Sequence, residues 1–333
     1  MTIEKLIQEK RLFIIARIVR EAPKHKIKME IISERNAIIK FSKGSNSFYT
    51  IGNDLPFCKK YPPAVIENKD ATKELLSTQG LCVPKGVCAN SYTDLRRQIL
   101  KESLSFPLIL KPIDGLRSIG ITWDISSFNQ LRHAVCKLKK IQKDSLHLKS
   151  NFFIAEEQFE GDEFRVLILG GKLIACVKKI PATVIGDGAH SISQLITLFN
   201  TNRKKKYHMI IDDTVNDYLA RQKKSLKYIP SANQHVKLRN DMMLSHGGRA
   251  IDYTQKISSS LRNICISSAH AAGLDYVGID ILVKKGASKN ISSGEYVIIE
   301  LNTFPAYVLN EAPLAENATV DVSSILLNYF LTH

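Results

Sequence analysis

The sequence predicts a chain of mixed α+β structure, and three observations support this class. Two pairs of β-rich runs, residues 164–169 with 172–177 and residues 276–283 with 296–302, have the composition of hairpins. Segments with the apolar spacing of helices lie earlier in the chain. Apolar residues make up 44% of the 333 residues, which provides a core and excludes intrinsic disorder as the main state. The length suggests roughly two domains.

Residues 1–66 are predicted to form a small α/β lead domain. Residues 12–19 have the apolar spacing of a helix. Turn residues separate the β-like runs that follow, at residues 28–32, 36–41 and 47–51. The break at Tyr61-Pro62-Pro63 then indicates a domain boundary, because consecutive prolines interrupt regular structure.

Residues 67–150 are predicted to form a second, small subdomain, and residues 151–333 a larger one that carries metal and acceptor sites. The small subdomain contains a helix that Gly80 ends, then a strand, then another helix, at residues 69–79, 106–111 and 128–141. The larger subdomain contains both hairpins. Gly170 and Gly171 form the tight turn of the first, and a long polar connection joins the strands of the second.

Composition and charge exclude some classes of protein. There are 47 Lys and Arg against 32 Asp and Glu, so the net charge of +15 favours anionic partners such as nucleotides or acidic substrates. Nucleic acid is not predicted as a partner, because the lysines are spread along the chain and no recognition motif is present. Apolar runs fall far short of the ~20 residues that cross a bilayer, and the start has no secretory signal. Six scattered cysteines without a CxxC pair suit reduced thiols and a cytoplasmic protein.

Oxygen-bearing side chains on the second predicted hairpin could bind a metal ion. Alternate residues of a strand share a face, so Glu300 and Asn302 project together. The apolar residues between and before them point into the core: Val297, Ile299 and Leu301. Asp280 on the partner strand comes opposite the Glu300/Asn302 pair if the register permits. Carboxylate and amide oxygens suit Mg²⁺. The alternative is an ordinary polar sheet face.

Lysines and an acidic cluster offer further contacts for a nucleotide. Lys111 emerges from a buried apolar strand just before Pro112, where it could neutralise a phosphate, as could Lys69. The glycines of the loop at 114–120 could let backbone N–H groups approach phosphate oxygens, but a glycine turn without a ligand has the same composition. Five acids precede the first hairpin, and they are either ordinary surface residues or contacts for adenine and ribose: Glu156, Glu157, Glu160, Asp162 and Glu163.

Several ordered segments together resemble one known family. They include NKDATKELLSTQGLCVP (68–84), FPLILKPIDGLRSIGIT (106–122), LRNDMMLSHGGRAIDYT (238–254) and YVIIELNTFPAY (296–307). KIPATVIGDGAHSISQLI, which ends at residue 196, is the most specific of the matching segments. From about residue 66 to residue 307 the chain resembles the ATP-grasp carboxylate–amine ligases, in the branch of cyanophycin synthetase and the bifunctional glutathione synthetases. The resemblance implies an ATP-grasp fold that holds ATP between two α+β subdomains.

The resemblance also implies which residues bind the nucleotide. Lys69 and Lys111 would contact its phosphates. Ser118 and Gly120 would belong to the mobile loop that closes over them. Four residues would surround the adenosine, three at the hinge against adenine and the last on the ribose hydroxyls: Glu156, Glu157, Phe159 and Glu163.

Metal, catalytic and acceptor roles follow from the same resemblance. Asp280, Glu300 and Asn302 would hold two Mg²⁺ ions, with Mn²⁺ as the alternative ion. Arg165 would face the transferring phosphate or the acyl group, and Lys179 stands where relatives usually have arginine. The acceptor side would be lined by consecutive residues: Ser245, His246, Gly247, Gly248 and Arg249.

Two departures from the family pattern concern the loop and the acceptor pocket. Leu116, Arg117 and Ile119 stiffen a loop that is richer in glycine in relatives. Relatives commonly read Asn-Leu-Ser-Thr-Gly-Gly where this chain has residues 243–248, which begin with Met243 and contain His246. His246 is predicted to contact substrate or to pack, in preference to acting as a general base.

The sequence therefore predicts one ATP-dependent ligation, in which a carboxylate activated as an acylphosphate is joined to an amine. Small-molecule acids and amines, of amino-acid or peptide type, are the expected substrates, and a homodimer or tetramer is the expected assembly. One alternative is a catalytically inactive nucleotide-binding regulatory protein. Another is a ligase that modifies the end of a polypeptide or polymer, since the positive charge could hold an acidic chain.

Overall fold

The computed structural model describes residues 3–9, 12, 19, 22–52, 66, 68–114, 119–144, 148, 150–201, 203–287, 290–303, 305–310, 314–322, 324–326 and 329. The chain forms two compact units. The first unit consists of Met1–Gly161, Val166–Ile174 and Ile257–Ala306. The second unit consists of Asp162–Arg165, Ala175–Lys256 and Tyr307–His333. The subdomain boundaries predicted at residues 66 and 150 stay predictions.

The first unit begins with helix α1 (Ile3–Gln8) and a three-stranded antiparallel sheet. The strands lie in chain order and confirm the predicted β-like runs: β1 (Lys28–Ser33), β2 (Ile38–Lys43) and β3 (Asn46–Ile51). A turn at Gly44-Ser45 joins β2 to β3. Of the helix predicted at 12–19 the structure describes only Leu12 and Val19, both buried. The other residues of that segment, and the break at 61–63, lie outside the described residues.

A four-stranded antiparallel sheet in the order β4-β7-β5-β6 forms the middle of the first unit. Its elements are α2 (Lys69–Thr78), β4 (Gly86–Ala89), α3 (Tyr92–Lys101), β5 (Leu108–Pro112), β6 (Thr122–Ile125), α4 (Phe128–Asp144) and β7 (Phe153–Glu157). The predicted helices and strand of the small subdomain are confirmed. Leu95 and Ile99 of α3 and Leu131 and Leu138 of α4 are buried in one apolar cluster with the sheet, which removes them from water.

Helix α2 has clear start and stop signals. Asn68 caps it, because its side-chain oxygen accepts hydrogen bonds from the N–H groups of Asp70 and Ala71, both at 3.1 Å. Gly80 has a φ of 73°, a left-handed conformation that ends helices readily. Lys69 therefore occupies the first turn.

The rest of the first unit is a helix and a hairpin beside it. Helix α7 (Ser259–Ala272) is capped by Ser258 and ends at Gly273, whose φ is 65°. Strands β13 (Tyr276–Val283) and β14 (Tyr296–Asn302) form the predicted second hairpin. In sheet order, β13 lies next to the strand Asp162–Leu169.

Strands β8 (Asp162–Leu169) and β9 (Lys172–Ile180) contribute residues to both units. The glycines of their turn, Gly170 and Gly171, have φ values of 55° and 74°. Two successive left-handed residues suit the right-handed twist of a hairpin, so the predicted glycine turn is confirmed.

The second unit contains two helices, a two-stranded sheet, and strands of a six-stranded sheet whose order is β14-β13-β8-β9-β12-β15. β9 pairs antiparallel with β12 (Arg249–Asp252), which pairs in parallel with β15 (Ala315–Glu316), while β10 (Thr183–Ile185) pairs with β11 (His235–Lys237). The helices are α5 (Ile192–Thr201) and α6 (Asp213–Arg221). Short 3-10 helices complete the described structure: Ala22–His25, Lys205–Tyr207, Leu244–His246 and Tyr307–Asn310. Of the helices described, none is both long and apolar enough to cross a membrane.

Candidate active site

The register of β13 and β14 brings the predicted metal ligands onto one face. Asp280 lies directly opposite Glu300, and Gly278 lies opposite Asn302. Opposed residues of an antiparallel pair share a face, as do residues two apart on one strand. Asp280, Glu300 and Asn302 therefore project together.

The predicted alternation along β14 is wrong at one position. A bulge follows the Asp280–Glu300 pair, so that Ile281 lies opposite Ile298 and leaves Ile299 without an opposing residue. Ile298 is buried at 1% exposure, while Ile299 is half-buried. A bulge adds one residue to one strand and so shifts the faces on either side of it.

The chemistry of these residues fits a divalent cation. The Nδ2 atom of Asn302 is buried without a hydrogen-bond partner. Rotating the amide by half a turn places its oxygen at that position, and the two orientations are hard to distinguish by shape. The described residues include no group of three or more His, Cys, Asp or Glu that could hold a metal ion. Two carboxylates and one amide would fill only part of the coordination of Mg²⁺, which usually keeps water or phosphate in its other positions.

Three lysines of the first unit surround two of the predicted carboxylates. Lys69 Nζ lies 3.4 Å from Glu300 Oε1. Lys111 Nζ lies 2.8 Å from Glu156 Oε2, and Lys73 contacts the other oxygen of Glu156. The Lys73, Lys111 and Glu156 side chains are each at most 10% exposed. The structure thus joins Lys69 to the face of Glu300 and places Glu156 between two lysines.

Burial lowers the pKa of two of these lysines. It lowers the pKa of Lys73 well below its usual value, and the charge of Lys111 lowers it further. Burial lowers the pKa of Lys111 to about 8, with the charge of Lys69 acting in the same direction. Desolvation disfavours the charged form of an amine. A phosphate anion near these groups would favour their charged forms.

Lys73 is the residue that sequence reasoning missed. It lies one turn after Lys69 on α2, and residues four apart share one face of a helix. The four-residue spacing of Lys69 and Lys73 could therefore have indicated that both lysines lie on the same side of α2. Two residues between β1 and β2 also contact this helix. Asn36 Nδ2 donates a hydrogen bond to Glu74 Oε2 at 2.9 Å, and Arg35 forms an ion pair with Glu74 at 3.1 Å.

The predicted hinge residues have separate surroundings. The Glu157 carboxylate accepts a hydrogen bond from the Ser105 N–H at 2.8 Å. The Phe159 ring lies 5.9 Å from Lys284 Nζ and lines a cavity of about 450 Å³ together with Glu157 and residues of α2 and β14.

Of the two predicted loop residues, the structure describes Gly120, which has a φ of 75°, a value that suits glycine. Ser118 lies outside the described residues.

The predicted catalytic and ribose-binding residues lie at the second unit's end of the β8–β9 hairpin. Lys179 forms an ion pair with Glu163, and the neighbouring Lys178 Nζ lies 2.6 Å from Asp162 Oδ2. Arg165 lies two residues after Glu163 on β8 and is half-buried. The pairing means that Glu163 and Lys179 neutralise each other in this structure.

The predicted acceptor residues form a tight turn in the second unit. Gly247 has a φ of 89°, and a Cβ there would lie 2.3 Å from Met209 Cγ. A Cβ at Gly248 would meet the Met242 carbonyl oxygen at 2.8 Å. Both positions therefore require glycine for close backbone packing. Arg249 makes two hydrogen bonds to Glu316, at 2.7 and 2.5 Å, so its guanidinium is engaged with β15.

Comparisons with known proteins agree with this fold. No protein-family model matches the chain. The chain is 32% identical over 269 residues to a cyanophycin synthetase of Crocosphaera subtropica, a match that covers 78% of this chain and 30% of that protein. A glutathione biosynthesis bifunctional protein of Enterococcus faecalis is 27% identical over 317 residues, covering 90% of this chain and 40% of that protein. The chain thus spans less than half the length of these relatives.

A solved structure shows the same fold. The crystal structure of a bifunctional glutathione synthetase from Pasteurella multocida superposes with a TM-score of 0.54 and 22% identity, over 95% of this chain and 43% of that one. The fold is therefore the α+β ATP-grasp fold. Within that fold class, the chain is similar in sequence to the ATP-grasp carboxylate–amine ligases.

Proposed function

We propose that this chain uses ATP to join a carboxylate to an amine, forming an amide and releasing ADP and phosphate. The observation that carries the proposal is the arrangement in the first unit, where Lys69 lies 3.4 Å from Glu300 and Glu300 lies opposite Asp280. Lys111 and its partner Glu156 supply a second charged group in the same unit. Similarity to a cyanophycin synthetase and to a glutathione biosynthesis protein supports a ligase.

The charges of the arrangement favour a polyphosphate once a metal ion is present. Lys69 lies beside Glu300, which is opposite Asp280, and Lys73 and Lys111 contact Glu156. A bound divalent ion would add positive charge to these groups. Asp280, Glu300 and Asn302 would hold two Mg²⁺ ions, with Mn²⁺ as the alternative, and these would supply positive charge for the phosphates of ATP.

The lysines would stabilise the phosphoryl transfer. A carboxylate acylates amines poorly, because its oxygen is a poor leaving group. Transfer of the γ-phosphoryl to that oxygen makes an acylphosphate, and the amine then displaces phosphate. Lys69 and Lys111 would bind phosphate oxygens from positions fixed before the reaction, which limits the reorganisation that charge transfer requires. Closure of the loop that contains Ser118 and Gly120 would keep water from the acylphosphate.

The remaining assignments rest on the family resemblance. Glu157 and Phe159 would contact adenine, and Glu163 the ribose. Because the Glu156 carboxylate contacts two lysines, we propose that it orients Lys111 and leaves adenine to the neighbouring backbone. Arg165 and Lys179 would serve the transferred phosphoryl or acyl group. The residues of the acceptor turn would contact the amine substrate: Ser245, His246, Gly247, Gly248 and Arg249.

Amino acids or peptides are the proposed substrates. The names of the two relatives, a cyanophycin synthetase and a glutathione biosynthesis protein, favour this class. The net charge of +15 would also suit an acidic polymer end as substrate. A cytoplasmic location and a homodimer or tetramer are further parts of the proposal.

The test is ADP release from purified protein with ATP, Mg²⁺ and mixtures of amino acids and dipeptides, followed by mass spectrometry of the products. ADP should form only when a suitable acid and amine are both present. Glu300→Gln should lower the rate about 100-fold or more, because it removes a carboxylate from the predicted metal site. Glu295→Gln is the matched control, since Glu295 is half-buried like Glu300 and accepts hydrogen bonds from Ser292 on the same hairpin.

Three outcomes would contradict the proposal or a part of it. Full turnover in Glu300→Gln would remove the metal assignment. Thermal stabilisation by ATP without ADP release, across the whole panel of acids and amines, would favour the regulatory alternative. Activity towards acidic polymers that falls steeply with salt, while activity towards small substrates does not, would favour the polymer-end alternative.

A further inference from the structure

Two arginines of the second unit share one carboxylate. Arg249, the first residue of β12, donates two hydrogen bonds to Glu316 of β15, from Nε at 2.7 Å and from Nη2 at 2.5 Å. The Nη2 atom of Arg203 lies 3.9 Å from Oε1 of the same carboxylate. Two positive groups therefore face one negative group, which leaves one positive charge in excess.

Backbone pairing fixes the positions of Arg249 and Glu316. β12 runs parallel to β15, and Ile251 lies opposite Glu316. The hydrogen bonds from Arg249 lower the pKa of Glu316 below its ordinary value, and the charges of both arginines act in the same direction. A bidentate arginine–carboxylate pair of this kind is strong and geometrically specific. Glu316 is therefore committed mainly to Arg249 rather than to Arg203.

Arg203 has weaker contacts with the protein. Its Cζ atom lies 4.5 Å from the centre of the Phe199 ring, and its Nη1 donates a hydrogen bond to the Gly248 carbonyl oxygen at 3.4 Å. A guanidinium has five N–H donors, and no second hydrogen bond from this side chain is observed within the part of the chain that the structure describes. Most of the Arg203 donors are therefore available to a ligand.

Partial burial makes the Arg203 charge costly. The side chain is 24% exposed, and burial lowers the pKa of Arg203, while the charge of Glu316 raises it and that of Arg249 lowers it. An arginine side chain stays charged at ordinary pH. A charge that is partly removed from water and incompletely paired is stabilised when an anion binds to it. Three exposed lysines that follow Arg203 add positive charge nearby: Lys204, Lys205 and Lys206.

Geometry and charge favour a carboxylate among anions. The planar guanidinium fork matches the two oxygens of a carboxylate, as the Arg249–Glu316 pair shows in the same place. One carboxylate carries a single negative charge, which equals the excess of the two arginines over Glu316. A phosphate dianion would exceed it and would lie close to the negative charge of Glu316.

We propose that Arg203 and Arg249 form a binding site for the carboxylate group of a small organic acid. The oxygens of the ligand accept hydrogen bonds from Arg203, while Arg249 stays paired with Glu316 and contributes its charge at short range. Every residue of this site belongs to the second unit. Binding there requires neither ATP nor turnover, so it goes beyond the ligase reaction proposed above and can be tested without it.

A binding measurement on the full chain tests the site directly. The probe is N-acetylglycine, which has one carboxylate, and the reference is N-acetylglycinamide, which is neutral and nearly the same size. In protein labelled with ¹⁵N-arginine, the Arg203 Nε–H signal is identified as the one that Arg203→Gln lacks. At constant ionic strength, N-acetylglycine should shift this signal in a saturable manner, and N-acetylglycinamide should leave it unchanged. Inorganic phosphate should bind more weakly than N-acetylglycine.

Two substitutions separate the charge of Arg203 from its shape, with the Arg249 Nε–H signal as the readout. Arg203→Gln should weaken N-acetylglycine binding about 10-fold or more, because it removes a charged donor. Arg203→Lys keeps the charge but loses the fork, so it should restore only part of the affinity. Arg221→Gln is the matched control, since Arg221 is exposed at the end of α6 in the same unit. Its loss changes the net charge equally and should leave the affinity unchanged.

Four results would overturn the proposal. They are equal shifts with the acid and the neutral amide, no saturable shift in the unsubstituted protein, unchanged affinity in Arg203→Gln, and tighter binding of phosphate than of N-acetylglycine. The titration of the unsubstituted protein decides the matter even if a variant fails to fold. A failed ADP-release screen would instead refute the ligase function and leave this site unaffected.

Discussion

Glu156 shows how one buried carboxylate organises the charges of the first unit. It is 3% exposed and contacts both Lys73 and Lys111. Removing a charge from water costs several kcal/mol unless a partner compensates. Burial lowers the pKa of Lys73 well below its usual value, and the charge of Lys111 lowers it further, while Lys111 Nζ lies 2.8 Å from Glu156 Oε2.

Glu156→Gln should destabilise the protein by about 3 kcal/mol, because it removes the carboxylate that contacts the buried Lys111. Urea unfolding at neutral pH measures the change. Glu102→Gln is the control, since Glu102 pairs with Lys101 at 3.5 Å while its side chain is 51% exposed. An exposed pair contributes little, so its loss should change the free energy by at most about 0.5 kcal/mol. Equal effects of the two changes would contradict the importance of burial.

Residue types in the site could be predicted, whereas their partners could not. Sequence indicated Lys69, Lys111 and the Asp280/Glu300/Asn302 set, since oxygen ligands and lysines next to buried strands suggest a charged ligand. It did not indicate that Glu156 contacts lysines, because β5 and β7 pair across more than forty residues. It also gave no reason to join His246 to Asp241, whose Oδ1 atom lies 2.9 Å from His246 Nδ1.

At the scale of elements, the bulge in β14 decides which side chains support the metal face. Strict alternation predicts Ile299 in the core, but the bulge buries Ile298 instead. The Ile298 N–H also donates to the Cys82 carbonyl at 2.9 Å, which ties β14 to the segment before β4. A local pattern of period two cannot reveal an inserted residue.

Ile298→Ala should therefore cost more stability than Ile299→Ala. Deletion of a fully buried isoleucine side chain leaves a cavity and costs about 2–4 kcal/mol, while a half-buried site loses less. Urea midpoints of the two variants make the comparison with identical chemistry on adjacent residues. A larger loss for Ile299→Ala would mean that the strand alternates without the bulge.

Elements with strong local signals were predicted and the others were not. Helix α2 has its cap at Asn68 and ends near Gly80, and the β8–β9 turn has two glycines. Residues close together in the chain therefore specify both the helix and the turn. Strands β12 and β15 have only four and two residues, and they are strands because they pair with distant segments. Such pairings carry no local signature.

At the scale of the whole molecule, the chain does not divide into units at single boundaries. The first unit takes residues from three separate segments, and so does the second. Strands β8 and β9 each contribute to both. A composition break such as that at residues 61–63 can suggest a linker, but it cannot show that a later segment returns to an earlier unit.

Mg²⁺ with ATP should stabilise the whole protein, by about 2.7 kcal/mol when ATP is present at 100 times its Kd. Removal of Mg²⁺ with a chelator should abolish most of this gain. Asn302→Leu offers a sharp variant, because the Nδ2 atom of Asn302 is buried without a partner. The variant without ligand should be at least as stable as the unsubstituted protein, since it buries no unpaired amide.

In the same thermal unfolding measurement, Asn302→Leu should lose the stabilisation by Mg²⁺ and ATP. Glu295→Gln should keep it. A stabilisation that is equal in Asn302→Leu and in the unsubstituted protein would remove Asn302 from the metal site.

The sequence by itself determined the α+β class, the hairpins, the ends of α2 and the residue types that a nucleotide and a metal ion require. These follow from periodicity, caps, turns and donor chemistry, which act between near neighbours in the chain. Only the tertiary structure decided the register that sets Asp280 against Glu300, the place of Glu156 between lysines, and the pairing of His246 with Asp241. Such contacts depend on how distant or irregular segments pack. The free energy of packing is contributed by many residues together, so no single segment of the sequence determines it.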